Sequence, residues 1–242
     1  MRLELKGVSH AYAGVKALAG VDLEVPEGSF TAIFGQNGAG KSTIAKIAGG
    51  MLRPTEGTVS IDGRPLPRRL RAGLAKRGVA LIPEGRRLFS DLSIADNLRL
   101  GAYAMRLSRG ELATRMDRAM ELMPPELRRR TKERAGVLSG GERQMVAIAR
   151  AMMADPSLVI VDEPSLGLAP IIVEAVYDNL LRLHGEGVTV VVIEQEAASA
   201  LPVCSHVLVV RRGEIVLRCD KAENEVTLDD LTALYFGERH LV

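Results

Sequence analysis

The chain has 242 residues, of which 47% are hydrophobic and 26% charged, a composition that indicates an ordinary soluble globular protein, either one large domain or one domain with an inserted lobe. Its 32 Lys+Arg against 30 Asp+Glu leave a net charge of +2, which excludes a global field for nucleic acid or an anionic membrane. Two cysteines, Cys204 and Cys219, lack C-x-x-C spacing, so metal and redox work are not indicated, the reducing cytosol is the expected compartment, and both read as buried packing residues.

The opening Met1-Arg2-Leu3-Glu4-Leu5-Lys6 alternates charged and apolar residues, which predicts a strand rather than a signal peptide. Leu18 to Val25 predicts another, closed by Pro26-Glu27-Gly28. The apolar run Phe30-Thr31-Ala32-Ile33-Phe34 then empties into Gly35-Gln36-Asn37-Gly38-Ala39-Gly40-Lys41-Ser42, which fits G-x-x-x-x-G-K-[ST] in the strand-then-helix context that this pattern requires. The glycines let backbone N–H groups converge on a phosphate at the positive end of the following helix. Lys41 would reach the β- and γ-phosphates of a nucleotide, and Ser42 would ligate Mg²⁺. Thr58 to Ile61 predicts a strand, and Asp62-Gly63 a hairpin; the opening reads as a mixed sheet that feeds a nucleotide pocket.

Leu66 to Lys76 reads as a basic helix with a solvated face, and Val79 to Ile82 as a short buried strand. From Ser93 to about Gly136 strands give way to helical spacing, with Ser93-x-x-Asp96 and Ser108-x-x-Glu111 resembling capping boxes. Residues 93–136 therefore read as a helical subdomain inserted into an α/β core of 1–92 and 137–242. The stripe of Leu112, Met116, Met120 and Met123 is most simply core. Leu158 to Val161 and Val188 to Ile193 are continuous apolar runs, the mark of parallel strands buried on both faces. Helices are predicted from Ile171 to His184 and from Glu196 to Leu201, then a hairpin around Arg212-Gly213, then a tail helix from Leu228 to Tyr235. No apolar run approaches a membrane span, so any membrane work must pass through a partner.

Asp162-Glu163 closes the run at Leu158 to Val161, so both carboxylates fall at the end of a buried strand. Asp162 is a candidate Mg²⁺ anchor and Glu163 a candidate base for the attacking water. Leu138-Ser139-Gly140-Gly141-Glu142-Arg143-Gln144 is a helix start with Ser139 as N-cap and Glu142 completing a capping box, its glycines exposing N–H groups suited to an anion.

Beside the phosphate loop and the Asp-Glu pair, this string resembles the signature motif of ATP-binding cassette (ABC) ATPases, and the resemblance covers nearly the whole chain. It implies a P-loop α/β cassette with a mixed N-terminal β region, a parallel core sheet flanked by helices and the inserted helical subdomain. It implies that ATP and Mg²⁺ are bound and ATP hydrolysed between two cassettes, homodimer or sister pair, closed head to tail. Ser139, Gly140, Gly141 and Glu142 would meet the nucleotide held by the opposite phosphate loop, whose set extends to Thr43. By the same resemblance Tyr12 would stack on adenine with Val15 beside it; a plain packing aromatic is the alternative. Two positions depart from the general pattern. Glu84 stands where a glutamine usually contacts Mg²⁺, and Gln195 where a histidine usually contacts the γ-phosphate. These departures also admit a binding module that closes on ATP but hydrolyses it poorly.

Pro83-Glu84-Gly85-Arg86, Arg134-Ala135-Gly136, the run from Glu163 to Pro170, and Glu194-Gln195 narrow the likeness to the second ATP-binding subunit of branched-chain amino acid importers of bacteria and archaea. That likeness implies a cytoplasmic subunit, peripheral on the inner face of the membrane, with two permease subunits and, indirectly, an external substrate-binding protein as partners, and no nucleic acid. Urea and short-chain amide importers are similar, and a soluble non-transport ABC ATPase of repair, translation or metal-cluster assembly is the reading from another class.

Overall fold

The computed structural model describes residues 1–66 and 74–236. In chain order the strands are β1 (Leu3–Tyr12), β2 (Val15–Val25), β3 (Phe30–Phe34), β4 (Glu56–Ile61), β5 (Arg64–Pro65), β6 (Val79–Ile82), β7 (Leu158–Asp162), β8 (Thr189–Glu194), β9 (His206–Arg211) and β10 (Glu214–Asp220). The helices are α1 (Lys41–Ala48), α2 (Ile94–Gly101), α3 (Arg109–Glu121), α4 (Pro125–Arg129), α5 (Gly140–Met152), α6 (Pro170–Gly185) and α7 (Leu228–Phe236).

The N-terminal β region divides between two sheets. Strands β2-β1-β4-β5 form a sheet that is antiparallel throughout, whereas β3 joins the sheet β10-β9-β3-β8-β7-β6, parallel except for the antiparallel pair β9 and β10 at its edge. Three two-residue turns have positive φ at both positions: Ala13-Gly14, Asp62-Gly63 and Arg212-Gly213. This is the geometry whose twist matches the flanking strands of a hairpin.

Alternation along the parallel strands divides the core. Phe30, Ala32 and Phe34 share one cluster with Val159, Val161, Val190 and Val192, packed against α2, α5 and α6 through Leu98, Ile148 and Leu180. Ile33, Ile160, Val191 and Ile193 face the other cluster, covered by Ile44 and Ile47 of α1 and by Leu3, Leu5 and Leu23 of the antiparallel sheet. Every residue of β3, β7 and β8 is buried, as the continuous apolar runs require.

The helical stretch leaves and rejoins the core side by side. Ser93 bridges Arg134, Ala135 N–H donates to Leu92 O at 2.9 Å, and Gly136 N–H donates to Ser90 O at 2.9 Å. A Cβ on Gly101 would fall against Arg150 O, so its absence lets the end of α2 approach α5. Met123 is buried and Leu112, Met116 and Met120 pack against the main core, which fixes the stripe as core. Both cysteines are buried and free, and burial pushes the Cys204 thiol up to about 11.

Local differences from the sequence reading have physical causes. Residues 195–203 hold turns rather than the helix expected from Glu196 to Leu201, with single bonds from Leu201 N–H to Ala197 O and from Cys204 N–H to Ala200 O. Pro202 disfavours helical geometry at Leu201, and the segment is too short to propagate a helix. Ser108/Glu111 and Ser139/Glu142 form complete capping boxes, but Asp96 bonds the Ser93 hydroxyl instead of the Ser93 backbone N–H. Asp is one methylene short of the reach that Glu has. Most of the basic helix expected between Leu66 and Lys76 lies outside the described residues; Ala75–Arg77 is a single 3-10 turn.

Candidate functional site

β3 delivers Gly35 beside β9, where any Cβ would fall against Val210 O. Gly40 closes the loop at φ +109°, and a Cβ there would stand 2.7 Å from Ala17 O. These two positions admit only glycine without a shift of backbone. α1 starts immediately after, at Lys41, so its first-turn N–H groups lack acceptors within the helix and open onto the loop. Lys41 is 4% exposed; its Nζ donates to Gly35 O at 2.7 Å and Gln36 O at 3.2 Å, and lies 3.3 Å from Glu163 Oε1. A cavity of about 350 Å³ is lined by Gln36, Asn37, Gly38, Gly40, Lys41, Ser42 and Thr43 together with Ala17, Glu84, Glu163, Leu166 and Gln195. Five separate stretches of chain, the loop among them, thus converge where a phosphate is expected.

Asp162, 3% exposed, ends β7: Ser42 Oγ donates to Oδ1 at 3.3 Å, and the buried Oδ2 has no hydrogen-bond partner. Burial pushes its carboxyl up to about 6, and the charges of Glu163 and Glu84 add to that, against the opposing hydrogen bond from Ser42. A buried oxygen with no partner beside a hydroxyl and a second carboxylate fits a hard divalent cation. No group of three or more His, Cys, Asp or Glu side chains forms a cage among the described residues.

Glu163 adopts φ +52°, a left-handed conformation that a non-glycine residue takes only when its surroundings impose it. Its N–H donates to Ile193 O at 2.8 Å, and its Oε2 accepts from Gln195 N–H at 3.3 Å. The carboxylate is therefore held between a buried ammonium and a backbone N–H while facing the cavity, as a proton acceptor for a bound water requires. The Gln195 side of the cavity is tied to α7, where Tyr235 OH donates to Gln195 O at 3.3 Å.

Sequence reasoning missed three participants. Ala17 and Leu166 line the cavity. Glu194, 1% exposed, is the last residue of β8; its Oε1 accepts from Ser165 N–H and Tyr177 OH, each at 3.1 Å. Burial and the charge of Glu163 push its carboxyl up to about 7. A charged residue type closing an apolar strand was the available signal.

Other expected residues stand apart. Ser139, Gly140, Gly141 and Glu142 line no part of the cavity; they open α5, and Glu142 also pairs with Arg130. Tyr12 and Val15 pair across the tip of the β1–β2 hairpin, both exposed, with the Tyr12 ring edge-on to His10 at 4.7 Å. Neither lines the cavity, although Ala17 of the same strand does.

β3 and β7 are separated in the sheet by β8 alone, and all three run parallel, so the phosphate loop, the two carboxylates and Gln195 emerge at one edge. That arrangement defines a P-loop nucleotide hydrolase. The family described as ABC transporter matches residues 18–166, and the chain belongs to that family: it is an ATP-hydrolysing cassette of a transporter. It is 39% identical over 215 residues to the high-affinity branched-chain amino acid transport ATP-binding protein BraG of Pseudomonas aeruginosa, covering 89% of this chain and 91% of that protein. It is 32% identical over 205 residues to the probable branched-chain amino acid transport ATP-binding protein LivF of Archaeoglobus fulgidus, covering 84% and 86%. The ribose import ATP-binding protein RbsA of Bacillus cereus is also similar, at 30% over 240 residues, but this chain spans only 48% of it. Among solved structures, a dimeric ATP-binding cassette bound to ADP and Pi in a post-hydrolysis state superposes with a TM-score of 0.81 at 28% identity, covering 90% of this chain and 98% of that one.

Proposed function

We propose that this chain energises the import of branched-chain amino acids through a separate membrane permease. The observation that carries the reading is the 39% identity to BraG along nearly the full length of both chains. No helix among the described residues is long and apolar enough to cross a membrane, so translocation falls to partner subunits. The cassette works at the cytoplasmic face on two permease subunits, with an external binding protein supplying substrate. The ribose-import likeness is the second reading, and it is the weaker because the identity to RbsA is 30% against 39% to BraG.

In the proposed cycle the loop Gly35 to Gly40 wraps the phosphates and Ser42 and Thr43 continue the cradle. Lys41, held beside Glu163 without nucleotide, exchanges that partner for phosphate oxygens, which leaves Glu163 to accept the proton of the attacking water. Ser42, Asp162 and Glu84 would hold Mg²⁺, which would neutralise charge on the phosphates. Gln195 donates an amide hydrogen bond toward the γ-phosphate. Adenine stacks at Tyr12 and Val15. A second cassette brings Ser139, Gly140, Gly141 and Glu142 to this site, and residues 93–136 act as the inserted subdomain carried on the core of 1–92 and 137–242.

The test is uptake in membranes reconstituted with this chain and the permease and binding protein that co-purify with it, supplied in turn with labelled leucine, ribose and urea. Leucine uptake that requires ATP and is abolished by Lys41→Ala supports the reading. Uptake of ribose or urea instead of leucine would reassign the substrate.

A further inference from the structure

β8 carries Val190 and Val192 toward the main core, and by strand alternation Glu194 continues that apolar face while Ile193 and Gln195 turn to the other. A carboxyl placed there is unfavourable unless its contacts are worth more than its burial costs. One oxygen, Oε1, takes both available donors, Ser165 N–H and Tyr177 OH; the other, Oε2, has none. For stability alone a leucine would serve better at this position.

The two donors reveal what the carboxyl does. Ser165 is the second residue after Glu163, at the start of the turn that leads to Leu166, whose side chain lines the cavity. Three contacts lace this turn to the end of β8: Glu163 N–H to Ile193 O, Gln195 N–H to Glu163 Oε2, and Ser165 N–H to Glu194 Oε1. Arg86 holds the next residue, donating to Leu166 O at 3.0 Å. Tyr177, itself buried on α6, aims the Glu194 carboxyl at Ser165.

We propose that Glu194 is a positioning residue of the ATPase reaction: its buried carboxyl pins the turn after β7 to the end of β8, which holds Glu163 and Gln195 in register on one cavity. The proposal rests on Glu163 and Gln195 acting as assigned above. Among the described residues the Glu194 side chain bonds Ser165 and Tyr177 and no group of the phosphate loop, so ATP binding is expected to change little.

Reach rather than charge is what the contact needs, which sets the test. Glu194→Gln keeps an oxygen at the same distance, Glu194→Asp keeps the charge but falls short of Ser165, and Glu194→Leu keeps neither. ATP turnover, KM and the melting temperature of each are compared with those of the wild type. Glu194→Asp and Glu194→Leu are expected to lose about ten-fold or more in kcat, with KM for ATP changed by about two-fold at most, because misplacement of catalytic groups acts on the chemical step. Glu194→Gln is expected to stay within about two-fold of wild-type kcat. Wild-type kcat in Glu194→Asp, or a kcat loss in Glu194→Gln as deep as in Glu194→Asp, overturns the proposal. So does a kcat loss that rises and falls with melting temperature across the three. Glu163→Gln run in parallel separates the two readings: turnover surviving that change refutes the base assignment whatever Glu194 does.

Discussion

Replacing Lys41 with Met probes the centre of the site in the absence of nucleotide. The Lys41 ammonium lies 3.3 Å from Glu163 Oε1 and is 4% exposed, and Glu163 in turn presses its charge on Asp162 and Glu194. At that separation and an effective dielectric constant near 20, the gross attraction is about 5 kcal/mol. Met fills much of the vacated volume and removes the cost of burying an ammonium, but it leaves a carboxylate without its cation, so the net loss is about 2–4 kcal/mol. In a domain of this length that lowers the melting temperature by roughly 5–12 °C. Adding Glu163→Gln removes the stranded charge, so the double variant recovers part of the loss, a coupling of about 1–3 kcal/mol. Thermal and urea unfolding of nucleotide-free protein at pH 8 with a chelator measure all four members of the cycle. A Lys41→Met variant as stable as wild type, or a double variant whose loss is the sum of the two single losses, would refute the argument.

Glu163→Gln lowers ATP turnover by about 10²–10⁴-fold, the usual worth of a positioned base, while equilibrium binding of ATP persists; phosphate release and a binding titration separate the two. Gly40→Ala forces a side chain into φ +109° against Ala17 O, which costs about 2 kcal/mol or more and weakens ATP binding, read as a lower melting temperature and a smaller shift on adding ATP. Ser139→Asp retains an N-cap of equal quality, so stability stays within about 1 kcal/mol, yet it adds a negative charge where a phosphate is to be met and lowers turnover; unchanged turnover limits Ser139 to capping. The Glu194 carboxyl has a pKa raised in the fold to about 7, so its favourable contribution is complete below the ordinary glutamate range and is lost as pH rises through 7. Metal-free Glu194→Gln therefore loses less stability than wild type between pH 5 and pH 8, and parallel stability curves for the two would exclude this.

The parts of the fold that depend on local chemistry were legible in the sequence. Continuous apolar runs mark β3, β7 and β8 because both faces of each are covered, and Gly35 and Gly40 announce themselves because no Cβ fits. What long-range packing decides was not legible. The turns at 195–203 look helical in composition, and only Pro202 hints otherwise. Ala17 and Leu166 enter the cavity through the docking of β2 beside the phosphate loop and through the turn after β7, neither of which local pattern encodes. Glu194 was read as a family marker beside Gln195, whereas its contacts with Ser165 and Tyr177 exist only once β8 and α6 are packed together.

The charge inventory of the cavity bears on why the proposed cycle calls for a second cassette. Glu84 and Glu163 line it and Asp162 borders it through Ser42, while Lys41 is the lysine among the lining residues. A polyanionic nucleotide brought into that setting meets carboxylates at close range, in surroundings where such repulsion is weakly screened. Lys41 is already neutralised by Glu163, so its transfer to phosphate exposes a carboxylate as it satisfies an oxygen. The first turn of α1 contributes partial positive charge and Mg²⁺ would contribute more. In the proposed cycle the γ-phosphate would take further donors from a second cassette. The start of α5 offers them, with Ser139 exposed, the glycines bare of side chains, and a complete capping box that fixes the helix end before any partner arrives. These groups line no part of their own chain's cavity, and under the proposed reading they complete a neighbour's.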